Sequence, residues 1–130
     1  MINICFKAWH KEKQEMFDVL VIDMNVNEVF LDKFSDMAMI SGRLEEVHFW
    51  ISFNDVILCQ FTNLRDMCGN KVFENDVVSL ADGTLFEVFR EIHCFKLKNI
   101  NTEHVIDINY TSFDKEFVIK GNKFSMFGLT

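Results

Sequence analysis

Two runs rich in β-forming side chains, Asp76-Val-Val-Ser-Leu-Ala81 and Thr84-Leu-Phe-Glu-Val-Phe89, meet at Asp82-Gly83. A two-residue Asp-Gly loop suits a type I′ turn, whose backbone twist matches that of the strands it joins. In that register Ala81 faces Thr84, Ser79 faces Phe86 and Val77 faces Val88, while Val78, Leu80, Leu85 and Phe89 line the opposite face. Both faces are largely apolar. A sheet wetted on one side has no use for this, so the hairpin requires cover on both flanks: a curled barrel, the N-terminal half or another subunit.

More short strands follow at regular spacing. Cys94–Lys98 places Phe95 and Leu97 inward and Lys96 and Lys98 outward, and Val105–Ile108 and Glu116–Lys120 continue the series between turn residues such as Asn99, Asn101 and Gly121-Asn122. Short strands spaced this way within about sixty residues predict a small, partly open barrel. Earlier in the chain Ile2–Trp9 alternates, and Phe17–Met24 with Glu28–Leu31 reads as a hairpin around Asn25-Val26-Asn27. Ser41–Val47 is expected as a short helix, and His48–Phe53 and Val56–Thr62 as extended segments.

The chain has 130 residues, of which 49% are hydrophobic, enough for a core without metals or disulfides. Its aromatic content is almost all phenylalanine, 15 residues against two tryptophans and one tyrosine, which speaks for packing rather than chemistry. The net charge is -7. From Met1 to Gln60 there are five basic and ten acidic residues; from Phe61 onward there are eight and ten. Nucleic-acid binding needs clustered cations to displace counterions, and this field has the opposite sign. Cys5, Cys59, Cys68 and Cys94 form no C-x-x-C pair and no secretory leader is visible, so free thiols in a cytoplasmic setting are expected. The longest apolar runs, such as Val19-Leu-Val-Ile22, are far too short to cross a membrane.

From Leu58 to Leu80 the chain reads L-C-Q-F-T-N-L-R-D-M-C-G-N-K-V-F-E-N-D-V-V-S-L. This resembles the signature of the YopX family of phage and prophage proteins, roughly M-Q-[FY]-T-G-L-K-D-x-N-G-K-x-[IV]-[YF]-E-G-D-[IV]-V. Ile4-Cys-Phe-Lys-Ala-Trp9 is similar to the family's opening I-K-F-R-A-W-D, and Phe95–Ile100 and Val118–Asn122 resemble later segments. Asn63 and Asn75 stand where the family has glycine, and asparagine is the side chain best tolerated at positive φ. His10 replaces the usual aspartate, Glu91-Ile-His93 replaces a glycine-bearing turn, and the closing N-P-E-L gives way to the apolar tail Phe124–Thr130. The resemblance implies a mainly β, β-rich α+β chain: an N-terminal β-rich segment, 1–60, packed on an SH3-like barrel, 61–130. It implies no activity.

The chemistry-bearing residues give no constellation. His10, His48, His93 and His104 share no zinc-type spacing with the cysteines, so no metal and no cofactor are expected. There is no G-x-S-x-G and no glycine-rich phosphate loop, and Asn63–Gly69 reads as a turn, so no catalytic residues and no enzymatic role are expected. Glu45-Glu46 reads as a solvated pair and Glu74 with Asp76 as turn-capping groups. Surplus hydrophobe remains at Trp9, Trp50 and Phe53, and tryptophan is enriched at interface centres. These three are the candidate interaction residues of a non-enzymatic module, expected to self-associate or to bind an unidentified phage or host protein. The competing expectation is a nucleic-acid-binding accessory factor working through Lys96, Lys98, Lys115, Lys120 and Lys123.

Overall fold

A computed structural model describes residues 5–35 and 45–128, and the side chains of all of these except 33–35 and 45–48. The fold is mainly β, with antiparallel pairing throughout. It divides into two compact units, Cys5–Leu58 and Cys59–Thr130.

The first unit contains β1 (Phe6–His10), β2 (Glu15–Asp23), β3 (Glu28–Ser35) and β4 (Glu45–Ser52), ordered β4-β3-β2-β1. The expected hairpin around Asn25–Asn27 is present, closed where Asp23 pairs with Glu28, with Asn27 at a φ of 55° and the Asp23 carboxylate accepting from the Asn25 N–H. A bulge between Val19 and Val21 shifts the β2–β3 register by one residue and pushes Leu20 outward. Ala8, Phe17, Val29, Leu31 and Val56 form the core on one face, joined by Val19, Ile22, Phe49, Ile51, Phe53 and Leu58. His10 belongs to that face: its ring lies against Phe17 and Phe49, and its Nδ1 accepts from the Lys13 N–H. The expected helix at Ser41–Val47 is corrected where the structure describes it. Glu45–Val47 open β4, paired in register with Lys33–Ser35 of β3, and 41–44 lie outside the described residues. Strand pairing outweighed a weak local helix propensity.

After a short 3₁₀ turn at Phe53–Asp55, β5 (Val56–Arg65) carries the chain into the second unit, where it pairs with β6 (Lys71–Phe73). There β7 (Asp76–Ser79), β8 (Leu85–Arg90), β9 (Phe95–Asn99), β10 (Val105–Asp107) and β11 (Val118–Asn122) form a five-stranded sheet, ordered β10-β9-β8-β7-β11. Two short helices flank β11, α1 (Phe113–Glu116) and α2 (Lys123–Phe127). Glu116 and Phe117 therefore precede the last strand instead of opening it. Of the apolar tail, Phe124 is buried while Met126 and Phe127 stay exposed, and α2 is capped by Asn122, whose side-chain oxygen accepts from the Ser125 N–H. The SH3-like barrel remains an expectation beyond this sheet order.

The hairpin at Asp82-Gly83 is real, but its register differs from the two-residue form. Val77 pairs with Glu87, Val78 with Phe86 and Ser79 with Leu85. The Leu80 N–H donates to the Thr84 carbonyl, and the Gly83 N–H donates to the Leu80 carbonyl, with Gly83 at φ 88°. This is a three-residue loop with glycine in the left-handed position, which adds one residue to the turn and moves every pair by one. The expectation of cover on both flanks holds. Val78, Phe86 and Val88 enter a core with Leu64, Val72, Leu97, Ile108, Phe113 and Phe117. On the other face Val77 is fully buried, and Ser79 and Glu87 are buried beside it. A lone carboxylate there would be costly, and Glu87 is neutralised by Lys98 at 3.3 Å and Lys123 at 3.1 Å.

The expected turn at Asn63–Gly69 is only partly present: Asn63–Arg65 close β5, with the register shifted between Phe61 and Arg65, and the turn proper begins at Asp66, whose carboxylate organises it. Asp66 accepts from the N–H groups of Cys68 and Asn70 with one oxygen and of Ile119 in β11 with the other, at 2.9–3.0 Å. Burial works to raise its pKa, but the backbone donors of Ile119, Asn70 and Cys68 outweigh it and hold the carboxyl below its ordinary range. Glu74 and Asp76 also act as backbone acceptors, from Gln60 and Phe73. Asn63 and Asn75 have φ values of 67° and 74°, so both asparagines occupy the left-handed region that favours glycine.

Two outcomes follow from these turns. Asn63→Gly should leave stability nearly unchanged and Asn63→Ala should lower it by about 1 kcal/mol in denaturant unfolding, because only the latter pays the left-handed strain. Asp66→Asn should lose about 2 kcal/mol near neutral pH through its broken charge-assisted hydrogen bonds. Because the folded pKa is depressed, that stability is present above the unfolded value of about 4 and disappears as pH falls through the folded one. Wild type and variant should therefore draw together in thermal scans as pH is lowered from about 4, and coincide once it is below the folded pKa.

Candidate functional site

Strand register fixes which side chains share the face of the first unit opposite its core. Val21 pairs with Phe30, and Phe30 with Trp50. These three form one apolar rung across β2, β3 and β4. The Phe30 and Trp50 rings lie 5.1 Å apart, Trp50 is 48% exposed and Val21 47%. Leu20, displaced by the bulge, is exposed next to Val21. Most of a tryptophan's area can be hidden in a sheet, so one left half-exposed beside another ring is a specific feature. Neighbouring rungs carry charge: Lys7, Asp18 and Asp32 pair on one side, and Asp23, Glu28 and Ser52 on the other.

The three expected interaction residues do not come together. Trp50 is on this open face. Trp9 shares the face by register but is only 2% exposed, and it lies level with Met16, away from the Trp50 rung. Phe53 packs against the core on the opposite side. Val21 and Phe30 were missed by sequence reasoning, although the hairpin closed by Asp23 and Glu28 already sets them opposite one another. Their meeting with Trp50 depends on β4 returning across 36–44, which no local pattern encodes.

Two clefts of the second unit are formed among the described residues. The larger, about 720 Å³, lies by the hairpin tip and is lined by Met67, Leu80, Leu85, Val118 and Met126, with Glu116 and Lys120 among its polar groups. The smaller, about 390 Å³, collects Gln60, Thr62, Arg90, His93, Cys94 and Tyr110. Burial, followed by the charge of Cys94, raises the Tyr110 pKa. Arg90 is engaged with Glu74 at 3.7 Å and Gln60 at 3.4 Å, and no hydrogen bond among the described residues joins Cys94, His93 and Tyr110 into a nucleophile–base relay. Cys59 is buried with its thiol pushed up to about 11, chiefly by burial, and accepts a contact from the Asn75 amide. Among the described residues no group of three or more His, Cys, Asp or Glu is placed to hold a metal ion. No described helix is long and apolar enough to cross a membrane.

Of the late lysines, Lys96 is paired with Glu91 at 2.9 Å and Asp107 at 3.4 Å, and Lys98 and Lys123 both serve Glu87. Three of the five cations are thus already paired with carboxylates within the unit, Lys98 and Lys123 sharing one.

The family model of the YopX protein matches residues 5–123. The chain belongs to the YopX family. Its fold is similar to the crystal structure of protein EF1440 from Enterococcus faecalis, with a TM-score of 0.65 and 18% identity over 95% of this chain and 94% of that one. No curated protein matches.

The two tryptophans of this YopX-family chain differ in burial, and a soluble quencher reads that difference. Acrylamide should quench roughly half of the native emission readily, and Trp50→Phe should leave only the protected Trp9 signal. Equal accessibility of both rings would contradict the placement.

Proposed function

We propose that this chain is a phage- or prophage-encoded accessory protein acting in the host cytoplasm as a non-enzymatic protein-interaction or self-assembly module. The observation that carries the reading is the half-exposed Trp50, held against Phe30, with Val21 in line on the next strand, on the face opposite the unit's core. Buried aromatic anchors dominate interface energetics, and a rigid cross-strand rung offers one with little entropy left to lose. Neither cleft of the second unit supplies a converging set of catalytic groups, which supports binding over turnover. The competing nucleic-acid reading is weakened by the carboxylates already bound to Lys96, Lys98 and Lys123 and by the acidic total.

Trp50→Ala tests the reading directly, because an exposed side chain can be removed with little effect on the core. Capture from infected cells should retain a partner whose association the variant weakens by about 2 kcal/mol, and sedimentation of the purified protein over a wide concentration range reads whether a second copy is that partner. Wild type and variant that sediment as the same monomer and retain the same captured proteins would remove it.

A further inference from the structure

The rungs beside Trp50 indicate what kind of surface would meet it. On β3, Asp32, Phe30 and Glu28 alternate on one face, so acids lie about 7 Å to either side of the aromatic rung. Directly across on β2, Asp18 stands opposite Asp32 and Asp23 opposite Glu28. Like charges in directly opposed positions destabilise a sheet, yet two such pairs bracket the apolar rung. Lys7 stands opposite Asp18 at the far end of one of them. Asp18 is exposed, Asp23 and Glu28 are half-buried, and Asp32 is buried. Cys5–Leu58 as a whole holds ten acidic and five basic residues.

We infer that this face takes a basic, apolar-anchored segment of another protein, a deepening that rests on the interaction reading above. An apolar side chain of that segment seats on Val21, Phe30 and Trp50, and lysines or arginines about 7 Å to each side lie over the acidic rungs. Cations placed there relieve the repulsion between Asp23 and Glu28 and, on the other side, meet the exposed Asp18 carboxylate, so the charge works for binding. They also have the exposed Trp50 ring within reach. The same unit already uses this chemistry on its other face, where the Lys13 ammonium lies 4.9 Å from the Phe49 ring centroid. A second copy is the wrong occupant: a two-fold interface would set these acids against their own equivalents. An anionic lipid surface or a nucleic acid meets the same repulsion.

The probe is a fluorescein-labelled peptide of three Lys-Ser-Leu-Ser repeats, whose alternate residues share a face when extended, compared with its Glu-Ser-Leu-Ser counterpart by anisotropy. The full chain should bind the lysine peptide, more weakly as salt rises, and bind the glutamate peptide at least tenfold less well. Trp50→Ala should lower affinity for the lysine peptide about tenfold. The double variant Asp23→Lys/Glu28→Lys should transfer the preference to the glutamate peptide, a gain that a misfolded protein cannot show. Asp114→Lys, at an exposed position on α1, should leave the preference unchanged. Equal binding of the two peptides, no binding of either, or an Asp114→Lys effect equal to the double reversal overturns the inference. So does binding of single-stranded DNA or phosphatidylglycerol vesicles through Trp50 in place of the lysine peptide. The interaction reading survives those results if Trp50→Ala still abolishes association in sedimentation. Loss of neither association nor peptide binding in Trp50→Ala removes both.

Discussion

The second unit depends on burying both faces of the β7–β8 ribbon. Val78, Phe86 and Val88 point into one core while Val77 is sealed on the reverse face. A ribbon enclosed in this way cannot slide by one residue without exchanging its two sets of partners, so its register must be set firmly. The Gly83 turn sets it at one end. At the other, the Asn75 N–H donates to the Val88 carbonyl at 2.7 Å, and the Asn75 carbonyl receives the Lys123 N–H. Glu87 is a buried carboxylate on the reverse face, and Lys98, directly opposite on β9, and Lys123 on α2 hold it there.

Carboxylates do much of the remaining positioning. Asp66 ties its own turn to β11, Glu74 and Asp76 satisfy backbone donors around Asn75, and Asp23 shapes the β2–β3 loop. In a chain without proline, these local acceptors restrict turns that ring closure otherwise would. Several of the acids that make the composition look highly charged are therefore structural. Among the acids that flank the Trp50 rung, Asp23 has both characters: it shapes the β2–β3 loop and also faces Glu28 across the strands.

The two units manage hydrophobe in contrasting ways. In the second, the apolar ribbon is covered and Phe124 of α2 is buried, while single hydrophobes such as Met67, Ile92 and Phe127 are exposed on turns and on α2. The first keeps a well-formed core on one face and leaves Val21 and Trp50 half-exposed on the other. An open face of that kind is tolerated when a partner meets it, and acidic flanking rungs discourage indiscriminate self-pairing in the meantime.

Much of this was legible in short-range pattern. The Asp82-Gly83 corner, the asparagines at 63 and 75, the alternation of Phe95–Lys98 and the acceptor roles of Glu74 and Asp76 are properties of a few adjacent residues, and backbone sterics fix them locally. The one-residue error in the hairpin register came from a choice between two turns that the same dipeptide permits, and the cores on either side decided it. Glu45–Val47 became strand because β3 offered a pairing partner. Trp9 and Trp50 carry the same side chain, and only the strands around them made one buried and the other open. The rung of Val21, Phe30 and Trp50 joins positions far apart in the chain, so tertiary pairing alone created it: contact between distant residues is a property of the assembled sheet and is written in no single stretch of sequence.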